Sequence, residues 1–152
     1  VVSRSLDALE VKNGASHTEV MVTPAQEVYI VEVGARMGGD YIGSHLVEYS
    51  TGYDFLEGVI RVATGNFEVP VTEALAWSGI YYILPPPGRL VEVIDNTASV
   101  AEIVKTEIYY KPGDTIPVIK ESNDRVAAII YRSTKGRMKF DPGYLIVRTE
   151  NE

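Results

Sequence analysis

The sequence predicts an α+β fold: an antiparallel sheet with helices in its first part, then a small β-rich C-terminal lobe. Three observations lead there. Two β-rich runs, Ser16 to Thr23 and Val28 to Val33, flank the polar turn Pro24-Ala25-Gln26-Glu27 and read as a hairpin. From Ser44 to Tyr49 and from Tyr53 to Thr64 the pattern turns helical. After Val69, short apolar runs alternate with Pro-Gly and Asn-Asp punctuation, as short strands and turns do.

Taken in order, Ser5 to Val11 places Leu6, Leu9 and Val11 near helical spacing, and Asn13-Gly14 ends that helix. The hairpin follows. Gly34, Gly38, Gly39 and Gly43 then make a loop whose backbone can approach another group closely. Phe55, Val59, Ile60, Val62 and Ala63 give the second helical stretch one apolar face, and Gly65 ends it. The lobe boundary is expected near Glu68, dividing the chain into residues 1–68 and 69–152. Beyond it, strands are expected at Ala76 to Leu84, Leu90 to Ile94, Glu107 to Tyr110, Ile116 to Ile119, Val126 to Arg132 and Tyr144 to Arg148. A helical turn capped by Ser99 is expected over Ser99 to Lys105. Pro85-Pro86-Pro87 reads as a stiff connector.

Composition narrows the function. The chain has 152 residues, 45% hydrophobic and 23% charged, as globular domains do, with a net charge of −7. That acidity, with no basic patch, argues against nucleic-acid and anionic-membrane partners, but not against a nucleotide held through a divalent metal. Tyr81-Tyr82 and Tyr109-Tyr110 read as strand packing, and Lys135, Arg137 and Lys139 as a solvated turn. Cysteine is absent, which excludes disulfides and thiolate chemistry and fits a cytoplasmic setting. No apolar run approaches the roughly 20 residues of a membrane span. Arg4, Asp7 and Glu10 break any signal-peptide pattern. The chain begins at Val1 rather than Met and is expected to be part of a longer protein.

The hairpin is the most informative element. A register that pairs Thr23 with Val28 sets Glu19 opposite Glu32 and His17 opposite Gly34, all on one face. Met21 and Ile30 complete that face near the turn, and Arg36 continues it beyond Gly34. The other face would hold Val20, Val22, Tyr29, Val31 and Val33. Two carboxylates so placed lie about 5 Å apart at Cβ and repel, so something must offset them. A divalent cation is one candidate, since Mg²⁺ takes carboxylate, phosphate and water oxygens. Arg36 and the open backbone at Gly38-Gly39 suit phosphate oxygens. Simple ion pairing with Arg36 or a lysine, and a general acid/base pair, are the alternatives. His17 reads either as a ligand contact or as a structural residue. Asp40 and Ser44 read either as substrate contacts or, the favoured reading, as caps of a helix from Tyr41 to Tyr49, and His45 is expected to be structural or exposed.

The segments Gly14-Ala15-Ser16-His17-Thr18-Glu19 and Val28-Tyr29-Ile30-Val31-Glu32-Val33-Gly34-Ala35-Arg36-Met37-Gly38-Gly39 resemble the C-terminal signature of the ATP-grasp superfamily. There an acidic or amide residue on one strand precedes an E-x-N-x-R segment on the next. Carboxylate–amine ligases, biotin carboxylase and carbamoyl-phosphate synthetase share the pattern. The resemblance implies the C-terminal half of an ATP-grasp fold. Glu19 and Glu32 would then hold the Mg²⁺ (or Mn²⁺) that bridges the ATP phosphates. Arg36 would contact the acyl-phosphate or the transferring phosphoryl group, with His17, Gly38 and Gly39 beside the nucleotide. One position departs: Gly34 stands where the family has a metal-binding Asn and offers no side-chain oxygen, and a branch of the superfamily shares the E-x-G-A-R-x-G-G form. The match is specific over Gly14 to Gly65 and loose beyond Glu68.

The implied parent is an ATP-dependent, ADP-producing ligase that joins a small-molecule carboxylate to an amine. An ATP-grasp enzyme also needs an N-terminal α/β domain, phosphate-binding lysines, an adenine clamp and a glycine-rich lid. None of these fits before Gly14, so the parent's N-terminal domains are expected partners. The chain alone is expected not to turn over ATP. A homodimer is left open. A biotin- or purine-carboxylase-type enzyme is the first alternative. A non-catalytic lobe with a decayed metal site is the second.

Overall fold

The computed structural model describes residues 1–150. The chain is α+β and divides into two compact units, Val1–Glu73 and one beginning at Ala74. No helix among the described residues is long and apolar enough to cross a membrane.

The first unit opens with helix α1 (Val2–Ala8), earlier than the Ser5 to Val11 expected. Strands β1 (His17–Val22) and β2 (Val28–Gly34) form an antiparallel hairpin. Its turn is tighter than a four-residue loop. Thr23 N–H donates to Glu27 O at 2.9 Å, and Gln26 takes the left-handed conformation at φ 63°. This closes a three-residue loop with its last residue left-handed, a common hairpin form.

Pairing therefore starts with Val22 opposite Val28, one residue off the expected register. Such a slip alone would send every β1 side chain to the wrong partner face. A bulge prevents it. Ile30 pairs with Val20 and Glu32 with Glu19, so Val31 is the extra residue between them. Beyond the bulge, Thr18 faces Val33 and His17 faces Gly34. The faces near the turn are thus corrected: Ile30 joins Val20 on the face expected to be core, where Val20 and Val22 are nonetheless exposed, while Tyr29 joins Met21 on the opposite face. Val31 is exposed, not core.

After the glycine loop, a π-helical turn (Ile42–Leu46) runs into α2 (Val47–Thr51). Leu46 N–H reaches back five residues to Tyr41 O at 3.0 Å. The turn is reached through two successive left-handed residues, Asp40 (φ 52°) and Tyr41 (φ 60°). Hence the expected capping by Asp40 or Ser44 is corrected. The N-cap position is Tyr41, whose side chain makes no capping bond, and Ser44 Oγ lies 2.8 Å from His45 Nδ1. Gly52, left-handed at φ 74°, separates α2 from α3 (Phe55–Ala63). Asp54 caps α3 by accepting from Glu57 N–H at 2.8 Å. At its other end Gly65 N–H reaches Val62 O and Asn66 N–H reaches Arg61 O, a Schellman closure around a glycine at φ 73°.

The second unit holds two three-stranded antiparallel sheets. One runs β3 (Trp77–Ile83), β7 (Ala127–Ser133), β5 (Ile103–Ile108). The other runs β6 (Thr115–Ile116), β4 (Gly88–Asp95), β8 (Leu145–Thr149). Leu90, Ile116, Val126, Ala127, Ile129, Leu145 and Val147 from both sheets form one buried cluster. Two expectations are corrected here. Residues 103–105, expected to be helical, are strand and run on into the strand expected from Glu107, because Ile103, Val104, Thr106 and Ile108 are β-branched and the segment pairs along β7. Ser99 donates to Asn96 O at 2.7 Å at the end of a short turn (Thr97–Ser99) rather than capping a helix. The strand expected from Ile116 to Ile119 stops at Ile116, since Pro117 has no N–H to give to a ladder.

Candidate functional site

The candidate site residues lie at the open end of the β1–β2 hairpin and in the glycine loop after it. Glu19 and Glu32 are direct cross-strand partners, both exposed. Alternation makes β1 show His17 and Glu19 on one side, and the Val31 bulge restores Glu32 and Gly34 to that side of β2.

The juxtaposed carboxylates are only partly compensated. Arg36 Nη2 lies 3.9 Å from Glu32 Oε1, and both side chains are more than half exposed, at 61% and 59%. Solvent and salt screen such a pair to roughly 0–1 kcal/mol. Among the described residues Glu19 has no ion pair. Arg36 is anchored on its other side, where Nη1 donates to Met37 O at 2.7 Å. A Cβ built on Gly34 would sit 3.6 Å from Arg36 Cγ and 3.7 Å from Cζ, so the arginine folds back over the glycine.

His17 is half-buried at the loop. A Cβ on Gly38 would lie 3.0 Å from His17 Cδ2 and 3.2 Å from Ile42 Cβ, so no larger residue fits there without moving one of them. Gly39 faces open space. The loop thus packs Gly38 against His17 and Ile42 and leaves Gly39 open, in the stretch that follows Arg36. The structure brings together Glu19, Glu32, Gly34, Arg36, His17 and Gly38. Asp40 and Ser44 are not shown to join them. Sequence reasoning gave no weight to Met37, whose carbonyl fixes Arg36, nor to Ile42, which packs over Gly38. Nothing in their residue type signals either role.

Among the described residues no cluster of three or more His, Asp or Glu has metal-site geometry. Two exposed carboxylates alone suit Mg²⁺, which commonly takes one or two protein oxygens and fills its sphere with phosphate and water. A cleft of about 450 Å³ lies elsewhere in the unit, between residues 12–16 and α3, lined by Tyr53, Phe55, Val59 and Phe67. None of Glu19, Glu32 or Arg36 lines it, and its apolar walls offer no oxygen pair comparable to the hairpin's.

No protein-family model matches the chain, and no curated protein matches it in sequence. Solved structures do match. The L-amino acid ligase from Bacillus licheniformis superposes with a TM-score of 0.76 at 21% identity, over 99% of this chain and 39% of that one. The phosphoribosylglycinamide synthetase from Anaerococcus prevotii gives 0.76 at 19% identity, over 98% and 40%. The chain has an ATP-grasp fold. It spans about two-fifths of the length of those two ATP-grasp proteins. The biotin carboxylase domain of the Hydrogenobacter thermophilus 2-oxoglutarate carboxylase, determined with MgADP, ADP and bicarbonate, gives 0.56 at 18% identity, over 80% of this chain and 28% of that one.

Proposed function

We propose that this ATP-grasp chain supplies the metal- and phosphate-binding carboxylates of an ATP-dependent carboxylate–amine ligase. The observation that carries the reading is the Glu19–Glu32 pair, held opposite each other by a bulged hairpin with Arg36 alongside. Glu19 and Glu32 would hold Mg²⁺ or Mn²⁺. When bound, that metal supplies charge neutralisation for the ATP phosphates. Arg36, fixed by the Met37 carbonyl, places a forked set of donors where a transferring phosphoryl group or an acyl-phosphate gathers negative charge. Gly39 would keep backbone available to phosphate oxygens, with Gly38 packed beneath His17 at the edge of that space. In such a ligase the substrate carboxylate attacks the γ-phosphorus of ATP, ADP leaves, and an amine then displaces phosphate to form the amide. The protein's share is positioning and electrostatics.

Half a site does not position a phosphoryl transfer, so the 152-residue chain alone is expected to give no measurable ATP hydrolysis. The substrates would be a small-molecule carboxylate and amine, with domains N-terminal to this chain completing the site in a cytoplasmic enzyme. A carboxylase-type reading is favoured by one observation, the likeness to a biotin carboxylase domain determined with MgADP and bicarbonate.

Hydroxylamine trapping on the full-length protein separates the readings. Carboxylic-acid-dependent ADP and hydroxamate, reduced at least a hundredfold in Glu32→Gln, would support the ligase. ADP formation that needs bicarbonate would favour the carboxylase. Full activity in Glu32→Gln would remove both.

A further inference from the structure

Gly34 occupies a strand position opposite His17, and its backbone is not in the left-handed region that would by itself call for glycine. What lies on it is Arg36. The guanidinium carbon sits 3.7 Å from where a Cβ would be, and Cγ sits 3.6 Å away. A Cβ alone makes ordinary contact at those distances, whereas atoms beyond Cβ would compete with the guanidinium for space. The folded-back arginine is then held between Met37 O at 2.7 Å and Glu32 Oε1 at 3.9 Å. Among the described residues, no other basic group is paired with Glu19 or Glu32.

We propose that Arg36 is the resident cation of Glu32, displaced when a divalent metal arrives, and that Gly34 is the positioning residue that permits this pose. The proposal rests on the metal-binding reading above. It goes further by making metal and arginine competitors for Glu32. Metal loading would thereby release the guanidinium toward phosphate, so that Arg36 is freed only once the metal is in place. A like-charged neighbour disfavours cation binding by Coulomb repulsion, and exposure keeps the effect modest.

The test is direct Mn²⁺ titration, followed by the electron paramagnetic resonance signal of the free ion. It compares the wild-type chain with Glu32→Gln, Gly34→Ala, Gly34→Val and Arg36→Met. Gly34→Ala should bind as wild type does, because its Cβ fits. Gly34→Val, which expels the guanidinium, and Arg36→Met, which removes it, should each bind Mn²⁺ roughly two- to fivefold more tightly, the range an exposed ion pair allows. Glu32→Gln should lose binding. If Glu32→Gln binds as wild type does, or no variant binds, the metal reading falls and this proposal with it. If Glu32→Gln loses binding while Arg36→Met matches wild type, the metal reading stands and the competition is refuted. A tighter Arg36→Met beside an unchanged Gly34→Val refutes the role of Gly34.

Discussion

In the first unit only two residues are buried, Gly43 and Gly58, whereas in the second the six consecutive residues Val126 to Tyr131 are all buried. The first unit carries every candidate site residue. Its hairpin leaves Met21 and Tyr29 on the site side exposed, and Val20, Val22 and Val31 as well. Its order comes from local devices: a left-handed Gln26 at the turn, Asp54 capping α3 and a Schellman closure at Gly65. The second unit is held by burial, with Leu90, Ile116, Ile129, Ile130 and Val126 almost wholly removed from water. The contrast teaches that site and core are separated along the chain. The candidate site residues lie on the exposed unit, and the buried apolar side chains lie on the other.

Mutations can break or sharpen that contrast. The largest effect is expected from Leu90→Ala or Ile129→Ala, at about 2–5 kcal/mol each, because both side chains are fully buried. Urea unfolding followed by Trp77, the single tryptophan and part of β3, reads this out. Val31→Ala, at an exposed bulge, should stay within about 0.5 kcal/mol; a loss comparable to Leu90→Ala would erase the distinction between the units. Next comes Gly79→Ala. A Cβ there would lie 2.5 Å from the Tyr131 ring, which is buried and stacked on Tyr81 and has little room to move. Overpacking of this kind costs about 1–3 kcal/mol, measured in the same unfolding assay.

Asp54→Ala tests the first unit's reliance on local devices and should cost about 1 kcal/mol through loss of the α3 cap. Amide exchange should quicken in α3 and stay unchanged in β7. The smallest effect is a pH dependence. Burial raises the Tyr131 phenol above its ordinary value, with Tyr81 adding to the shift. The folded chain therefore holds that proton more tightly than the unfolded chain. Its contribution is whole below the usual phenol value of about 10 and is lost as pH rises from there through the raised folded value. Tyr131→Phe should flatten that decline in stability on the alkaline side.

Much of this arrangement was legible in the sequence, and the parts that were not have physical causes. Alternation alone put Glu19 opposite Glu32 and His17 opposite Gly34. It did so through two errors that cancel: the turn is one residue tighter than expected, and the bulge at Val31 takes up the difference. Nothing in Tyr29-Ile30-Val31-Glu32 marks a bulge, because any β-branched residue fits either side of one. The swap of Tyr29 and Ile30 between faces follows from the same blind spot. The left-handed Asp40-Tyr41 step was hidden too, since both residues read equally well as the start of a helix. In the second unit, Ser99 offered a cap signal that β-sheet pairing of Ile103 to Ile108 overrode. The fold-back of Arg36 over Gly34 is a packing relation, visible only once the chain is folded.

Glu19 and Glu32 are proposed to hold a divalent metal together, and paramagnetic broadening by Mn²⁺ tests that proposal most directly. In amide spectra of the chain, substoichiometric Mn²⁺ should erase signals from residues 18–20 and 31–33 first and spare β7. Glu32→Gln should abolish that pattern. Broadening centred anywhere else, or the same pattern persisting in Glu32→Gln, would contradict it.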